Sequence, residues 1–209
     1  MREAPAIPGV ILAGGLSRRM GGGDKSLNEI GGRSLLAHVI DRLAPQAGPL
    51  ALNANGDPAR FAAFGLPVLA DPVAGFAGPL AGVLAALDWA ADLGAGHVAT
   101  VAADTPFFPA DLVARLRPAL AAAPIVLAAT PHPERGRMRH PTFGLWPVAL
   151  RHDLRAALLA GTRKVVQWTQ AHGAVEVLFD APEGVDPFFN VNTPADLATA
   201  RHRYSEGCA

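Results

Sequence analysis

Short apolar runs alternate along the chain with stretches in which apolar residues recur every three or four positions, the pattern of strands and helices in a mainly parallel sheet. Val10–Ala13 reads as the first strand. After a glycine-rich loop, Leu35, Leu36, Val39, Ile40 and Leu43 lie at helical spacing, followed by strands at Leu50–Asn53 and Val68–Ala70. Leu80, Val83, Leu84 and Leu87 share one helical face and lead to a strand at His97–Ala102, and Leu112, Val113, Leu116 and Leu120 mark the next helix, which Pro124 ends. A strand is expected at Ile125–Ala129, then a mobile loop over Pro131–Arg139, which is rich in Pro, Gly and Arg and has no periodicity. A short strand around Thr142–Trp146, helices near Leu150–Leu159 and Val165–Ala171, a strand at Val175–Phe179 and a helix beginning at Pro194 complete the pattern. The expected fold class is α/β, one domain with helices packed on the sheet.

Composition narrows the chemistry. The 209 residues carry no net charge and are half hydrophobic, so nothing in the global charge draws the chain to nucleic acid or to an anionic membrane; phosphate binding must come from local geometry. The one cysteine, Cys208, excludes an intrachain disulfide and a cysteine-rich metal site, which points to a reducing compartment and a cytoplasmic location. The apolar stretch Ala4–Gly15 is broken by Pro5, Pro8 and glycines, with Glu3 where a leader would be basic, so neither a signal peptide nor a membrane span is expected. His97 and the other histidines show no metal-ligand spacing.

Directly after the first strand comes Leu12-Ala13-Gly14-Gly15-Leu16-Ser17-Arg18-Arg19-Met20-Gly21-Gly22-Gly23-Asp24-Lys25. Glycines let the backbone turn tightly and bring successive N–H groups to phosphate oxygens, while Arg18, Arg19 and Lys25 add positive charge. Asp24 stands where a Walker loop needs glycine, and the segment lacks the Gly-x-Gly-x-x-Gly of a dinucleotide fold. Lys25 is one of two lysines against sixteen arginines, so a compact ammonium is the exception at this position. Asp104 falls at the end of the fourth strand, where open α/β sheets bind ligands, and its hard carboxylate suits Mg²⁺; Asp before Thr105-Pro106 also reads as a turn or cap.

The chain resembles the molybdenum cofactor guanylyltransferase family, the MobA type, nearly end to end. The resemblance rests on Leu12-Ala13-Gly14-Gly15 through Asp24-Lys25-Ser26-Leu27, on Gly78-Pro79-Leu80-Ala81-Gly82, on Ala103-Asp104-Thr105-Pro106 and on Asn190-Val191-Asn192-Thr193-Pro194. It implies a Rossmann-like sheet of the nucleotide-diphospho-sugar transferase type with helices on both faces. It also implies that Leu12, Ala13, Gly14 and Gly15 line the nucleotide site, that Lys25 contacts phosphate and acts with Asp104 in catalysis, and that Asn53 and Asp71 lie near base or ribose. Asn192 becomes a second metal or phosphate contact beside the Asp104 metal site. His140, with Arg135, Arg137 and Arg139 before it and Asn190 and Asn192 near the end, falls on the acceptor side. Each of these keeps a plainer alternative: Asn53 and Asp71 as turn residues, Asn192 as the cap of the helix at Pro194, the arginines as a solvated surface.

The implied reaction is attack by the terminal phosphate of the molybdopterin cofactor on the α-phosphate of GTP, with Mg²⁺ as cofactor and pyrophosphate released. The acceptor is already an oxyanion, so neither a covalent intermediate nor a general base is called for. Molybdoenzyme-specific chaperones are candidate recipients of the product. A cytidylyltransferase for the same pterin and a regulatory module that binds nucleotide without catalysis remain open alternatives, and a sugar-phosphate transferase, which usually carries a larger sugar lobe, fits less well.

Overall fold

The computed structural model describes residues 6–14, 24–75, 78–180 and 186–207. Gly15, Arg18, Arg19 and Cys208 lie outside the described residues. The strands are β1 (Gly9–Leu12), β2 (Glu29–Ile30), β3 (Arg33–Ser34), β4 (Leu50–Asn53), β5 (Val68–Leu69), β6 (His97–Ala102), β7 (Val126–His132), β8 (Gly136–Pro147) and β9 (Val175–Leu178). The α-helices are α1 (Leu35–Leu43), α2 (Pro79–Asp92), α3 (Leu112–Leu116), α4 (Arg151–Leu159), α5 (Val165–Ala171) and α6 (Pro194–Ser205).

Seven strands form one sheet in the order β5-β4-β1-β6-β8-β7-β9. The pairs β5–β4, β4–β1, β1–β6 and β7–β9 are parallel, whereas β8 runs antiparallel to both of its neighbours. The expected α/β sheet with helices on both faces is what forms. Leu36, Val39 and Leu43 of α1 and Leu112, Val113 and Leu116 of α3 pack with Ile11, Leu52 and Val101 on one face. Leu80, Val83, Leu84 and Leu87 of α2, with Leu154 of α4 and Trp168 of α5, cover Val10, Val98 and Trp146 on the other. Alternate residues of each strand therefore serve opposite layers, so the central strands are apolar throughout, and each fully buried Leu, Val or Ile contributes about 1.5–3 kcal/mol. Inside the second layer Trp146 donates its indole N–H to Thr100 Oγ1 at 2.7 Å, and that hydroxyl donates to the Thr142 carbonyl at 2.8 Å, so both of these buried polar side chains are satisfied.

The largest departure from the sequence reading is at Pro131–Arg139. This segment is no mobile loop: β7 and β8 form a long antiparallel hairpin in which Thr130 faces Met138, Pro131 faces Arg137 and His132 faces Gly136. The turn is closed by Gly136 at φ 71°, and the N–H groups of Glu134 and Arg135 both donate to His132 Nδ1 at 3.2 Å. Strand β8 thus runs for 12 residues, well beyond the expected Thr142–Trp146. The helix expected through Leu120 is α3 followed by a 3₁₀ turn over Arg117–Ala121, entered at Pro118, which has no N–H for an α-helical bond.

The chain leaves β1 for β4 and β5 on one side and returns to β6 on the other, so the order reverses between β1 and β6. At such a reversal the connections diverge and open a crevice at the carboxyl ends of the strands. Leu12, Asn53, Leu69 and Ala102 terminate the four parallel strands at this edge.

Candidate active site

Lys25 opens a short 3₁₀ turn, Lys25–Leu27, capped by Asp24, whose Oδ1 accepts from the Ser26 hydroxyl at 2.8 Å and from the Ser26 N–H at 3.3 Å. From there the Lys25 ammonium reaches the edge of β6. It pairs with the Asp104 carboxylate and donates to Asn192 Oδ1 at 2.7 Å. Residues far apart in sequence thus converge on one nitrogen at the reversal crevice. The Asp104 main chain is anchored too, because its carbonyl accepts from the Val191 N–H at 2.8 Å. Asp104 caps no helix; the cap position of α3 is Asp111.

Asn192 is not the helix cap either. Thr193 takes that role, its hydroxyl accepting from the Asp196 N–H at 3.1 Å while the Asp196 carboxylate accepts from the Thr193 N–H at 2.8 Å. The Asn192 carboxamide is thereby left for Lys25. Asn190, two residues earlier, is exposed, and the structure does not bring it into this cluster.

A second group lies at the ends of β4 and β5. Asn53 Nδ2 donates to the Leu69 carbonyl at 3.1 Å and to Asp71 Oδ1 at 2.9 Å, which fixes the carboxamide. Its oxygen lies 3.4 Å from where a Cβ on Gly14 would stand and only 2.3 Å from where one on Gly82 would. That close approach explains the second glycine of Gly78-Pro79-Leu80-Ala81-Gly82. Asn53 is 2% exposed, so it underlies the crevice, and Asp71 is the half-buried group above it. Asn55, which reads as an ordinary turn residue, completes the network: its Nδ2 donates to Asp71 Oδ2 at 2.7 Å and its Oδ1 accepts from the Asp71 N–H at 2.9 Å. Arg60 ties this side to the turn before Lys25, donating to Asp24 Oδ2 at 3.0 Å and to the Asn55 carbonyl at 2.5 Å. Neither Asn55 nor Arg60 stands out in the sequence, since only the fold brings them to Asp71 and Asp24.

Backbone groups at the end of β1 are partly committed. The Leu12 carbonyl accepts from the Ala103 N–H at 3.0 Å, and the Ala13 N–H donates to the Asn53 carbonyl at 2.9 Å. The carbonyl of Ala13 and the peptide of Gly14 follow beyond these bonds.

The residues expected on the acceptor side separate onto two faces, because successive side chains of a strand point opposite ways. Arg137 and Arg139 both reach across β7 to Glu176 on β9, Arg137 at 3.1 Å. Burial opposes ionisation of Glu176, yet the hydrogen bonds and charge of these arginines hold its carboxyl below the usual range. His140 points the other way. It stacks on Phe188 with ring centroids 4.2 Å apart and shares a 3.0 Å hydrogen bond with the Thr130 hydroxyl.

Burial pushes the His140 imidazole below its ordinary value, with Asp186 pulling weakly the other way, and burial also lowers His97. In the unfolded chain both titrate near about 6.5. The folded state binds protons less readily, so this stability is complete above the unfolded value and is lost as pH falls toward the folded one. The melting temperature is therefore expected to drop between about pH 7 and pH 5, and less steeply in His140→Gln. Equal slopes for the two proteins would show that His140 is not part of the acid response.

An open α/β sheet with a cation, a carboxylate and a carboxamide gathered at its reversal crevice, beside the Asp71 carboxylate fixed by Asn53 and Asn55, has the layout expected of the nucleotidyltransferase class. Residues 9–175 match the family described as MobA-like NTP transferase domain. A molybdenum cofactor guanylyltransferase from Bradyrhizobium is 57% identical over 200 residues, covering 93% of this chain and 92% of that protein. One from Rhodopseudomonas palustris is 57% identical over 205 residues, covering 96% and 95%. The chain belongs to the molybdenum cofactor guanylyltransferase family. Among solved structures, molybdopterin-guanine dinucleotide biosynthesis protein A from Archaeoglobus fulgidus superposes with a TM-score of 0.73 at 21% identity, covering 96% of this chain and all of that one. The 2-C-methyl-D-erythritol 4-phosphate cytidylyltransferase from Thermus thermophilus gives 0.69 at 21% identity, covering 94% and 98%. These two likenesses concern the fold.

Proposed function

We propose that this protein transfers GMP from GTP to the terminal phosphate of the molybdenum–molybdopterin cofactor, forming the guanine dinucleotide cofactor and releasing pyrophosphate. The observation that carries this reading is the Lys25 ammonium held between Asp104 and Asn192 at the crevice where the strand order reverses. Lys25 supplies positive charge to the triphosphate, and the Ala13 carbonyl and the Gly14 peptide line the nucleotide site at the end of β1. Asp71, fixed by Asn53 and Asn55, keeps lone pairs for the N1–H and N2–H₂ donors of guanine.

The residues fit a hard divalent cation. Asp104 and Asn192 present a carboxylate and a carboxamide oxygen to one point, already occupied by the positive Lys25 nitrogen. Among the described residues no group of three or more His, Cys, Asp or Glu forms a cage. One or two protein oxygens, with water and phosphate oxygens as the remaining ligands, are the usual provision for Mg²⁺ in triphosphate chemistry. Mg²⁺ held there by Asp104 and Asn192 would offset triphosphate charge and orient the α-phosphate. The chain's own task is to align the two phosphates for in-line attack and to lower their repulsion through Lys25 and backbone amides.

On the acceptor side the reading uses Asn192 beside Lys25, His140 on the Phe188 face of β8, and Arg137 on the opposite face of that strand, where charge-assisted hydrogen bonds favour phosphate. Among the described residues no helix is long and apolar enough to cross a membrane. A cytoplasmic location is the reading that the single cysteine supports, and molybdoenzyme-specific chaperones are the recipients it suggests.

With molybdopterin acceptor and Mg²⁺, pyrophosphate release is expected to prefer GTP over CTP and ATP by at least about tenfold, since one unpaired buried polar group costs about 1–3 kcal/mol. A preference for CTP would transfer the assignment to a cytidylyltransferase. No release with any triphosphate, given competent acceptor, would favour a regulatory module.

A further inference from the structure

The Asn192 side chain does its work from an awkward place, the extended segment just ahead of α6, where the backbone has no ladder to hold it. Hydrogen bonds clamp it from both sides. On one side the Val191 N–H is fixed to the Asp104 carbonyl at 2.8 Å. On the other, Asp196 Oδ2 accepts from the Asn192 N–H at 2.9 Å as well as from the Thr193 N–H at 2.8 Å. Of the two bonds to Asp196, a capping box requires only the one that the carboxylate accepts from the N–H of the cap residue Thr193. The bond to Asn192 reaches one residue outside the helix and adds nothing to the cap. Together with the Thr193 bond it ties the two peptides that flank Asn192 to a single oxygen, and so fixes the backbone from which the carboxamide reaches Lys25 at 2.7 Å.

We infer that Asp196 is a positioning residue for the active site, acting through Asn192: its carboxylate holds the Asn192 peptide so that the carboxamide oxygen meets the Lys25–Asp104 pair. The inference rests on the reading of that cluster as the site of nucleotidyl transfer. Electrostatics agree with the geometry. Burial works against ionisation of Asp196, yet the Asn192 N–H, the Thr193 hydroxyl and N–H, and the nearby Lys25 charge together keep its carboxyl below the usual range. Asp196 holds no hydrogen bond to Lys25 or Asp104; its positioning effect passes through Asn192.

That dependence separates positioning from capping. Thr193→Val removes the other half of the box and weakens the helix start while leaving the Asp196–Asn192 bond in place, so it should lower the melting temperature and leave kcat unchanged. Asp196→Ala should lower the melting temperature by a similar amount and reduce kcat about tenfold with little change in the KM for GTP. Asp196→Asn, which keeps an oxygen able to accept from both peptides, should recover most of that loss and serves in place of the alanine variant if the latter does not fold. In a double-mutant cycle Asp196→Ala should cost nothing further in an Asn192→Ala background. Multiplying losses in the double mutant, or equal kcat in Asp196→Ala and Thr193→Val, would reduce Asp196 to a cap. A readout independent of turnover is the NMR order parameter of the Asn192 carboxamide, expected to fall in Asp196→Ala and to hold in Thr193→Val. If wild-type protein releases no pyrophosphate, the proposed function fails while this measurement still decides the inference, and an unchanged order parameter in Asp196→Ala overturns it.

Discussion

Replacing Asp104 by alanine is expected to leave the fold intact and to lower nucleotidyl transfer by at least about a hundredfold, equivalent to about 2.7 kcal/mol of barrier. The structural cost is small for identifiable reasons. Asp104 is anchored through its main chain, whose carbonyl bond to Val191 does not depend on the side chain. Its carboxylate and the Lys25 ammonium are 17% and 22% exposed, so the lysine left behind keeps solvent and the Asn192 oxygen as partners. The chemical cost is large because, among the described residues, Asp104 is the carboxylate paired with Lys25 at the crevice and the anionic oxygen a divalent cation there would use. Pyrophosphate release and the melting temperature should be measured on the same preparation. A lowered melting temperature with retained turnover would make the Lys25–Asp104 pair structural.

Much of this site can be read from the chain because its residues sit at strand ends, where periodicity locates them. His97–Ala102 has the boundaries expected from its apolar run, and Asp104 follows at once. Lys25, Asp104 and Asn192 come from three separate motifs, and the sheet order gives the reason they meet: β1 and β6 are neighbours, and Val191 is tied to the turn after β6. Charge concealed the β7–β8 hairpin. Arg137 and Arg139 alternate with Met138 and His140 in a true two-residue period, but guanidinium groups on a strand look like loop composition until Glu176 is seen across β7. The same pleat divides His140 from the arginines, which sequence proximity had grouped together. The two-residue strands β2 and β3, joined by Gly31 and Gly32 at φ 56° and 74°, are too short to leave any periodic trace. Asp196 looks like an ordinary helix-start acid, and its second hydrogen bond exists only in three dimensions.

Gly82→Ala is expected to lower stability by about 1–3 kcal/mol and to raise the KM for GTP at least about tenfold. The added methyl would stand 2.3 Å from Asn53 Oδ1 and 3.0 Å from Leu12 Cδ2, so something must move. Helix α2 cannot yield easily, since Leu80, Val83, Leu84 and Leu87 bind it to the sheet in the buried layer. The Asn53 carboxamide is the smaller group, but it is 2% exposed and holds both the Leu69 carbonyl and Asp71. Expelling it leaves the Leu69 carbonyl without that donor and frees the Asp71 carboxylate on one side, which loosens the acceptor that the proposed function assigns to guanine. Removing the obstructing carboxamide should relieve the strain, so Asn53→Ala combined with Gly82→Ala should be more stable than the sum of the two single losses predicts. The double variant should not recover the KM, because Asp71 still lacks its partner from β4. Thermal denaturation and initial rates on the two single variants and the double variant would test both statements. Additive stability losses would show that the methyl is accommodated elsewhere and that the Gly82–Asn53 contact does not organise the nucleotide side of the crevice.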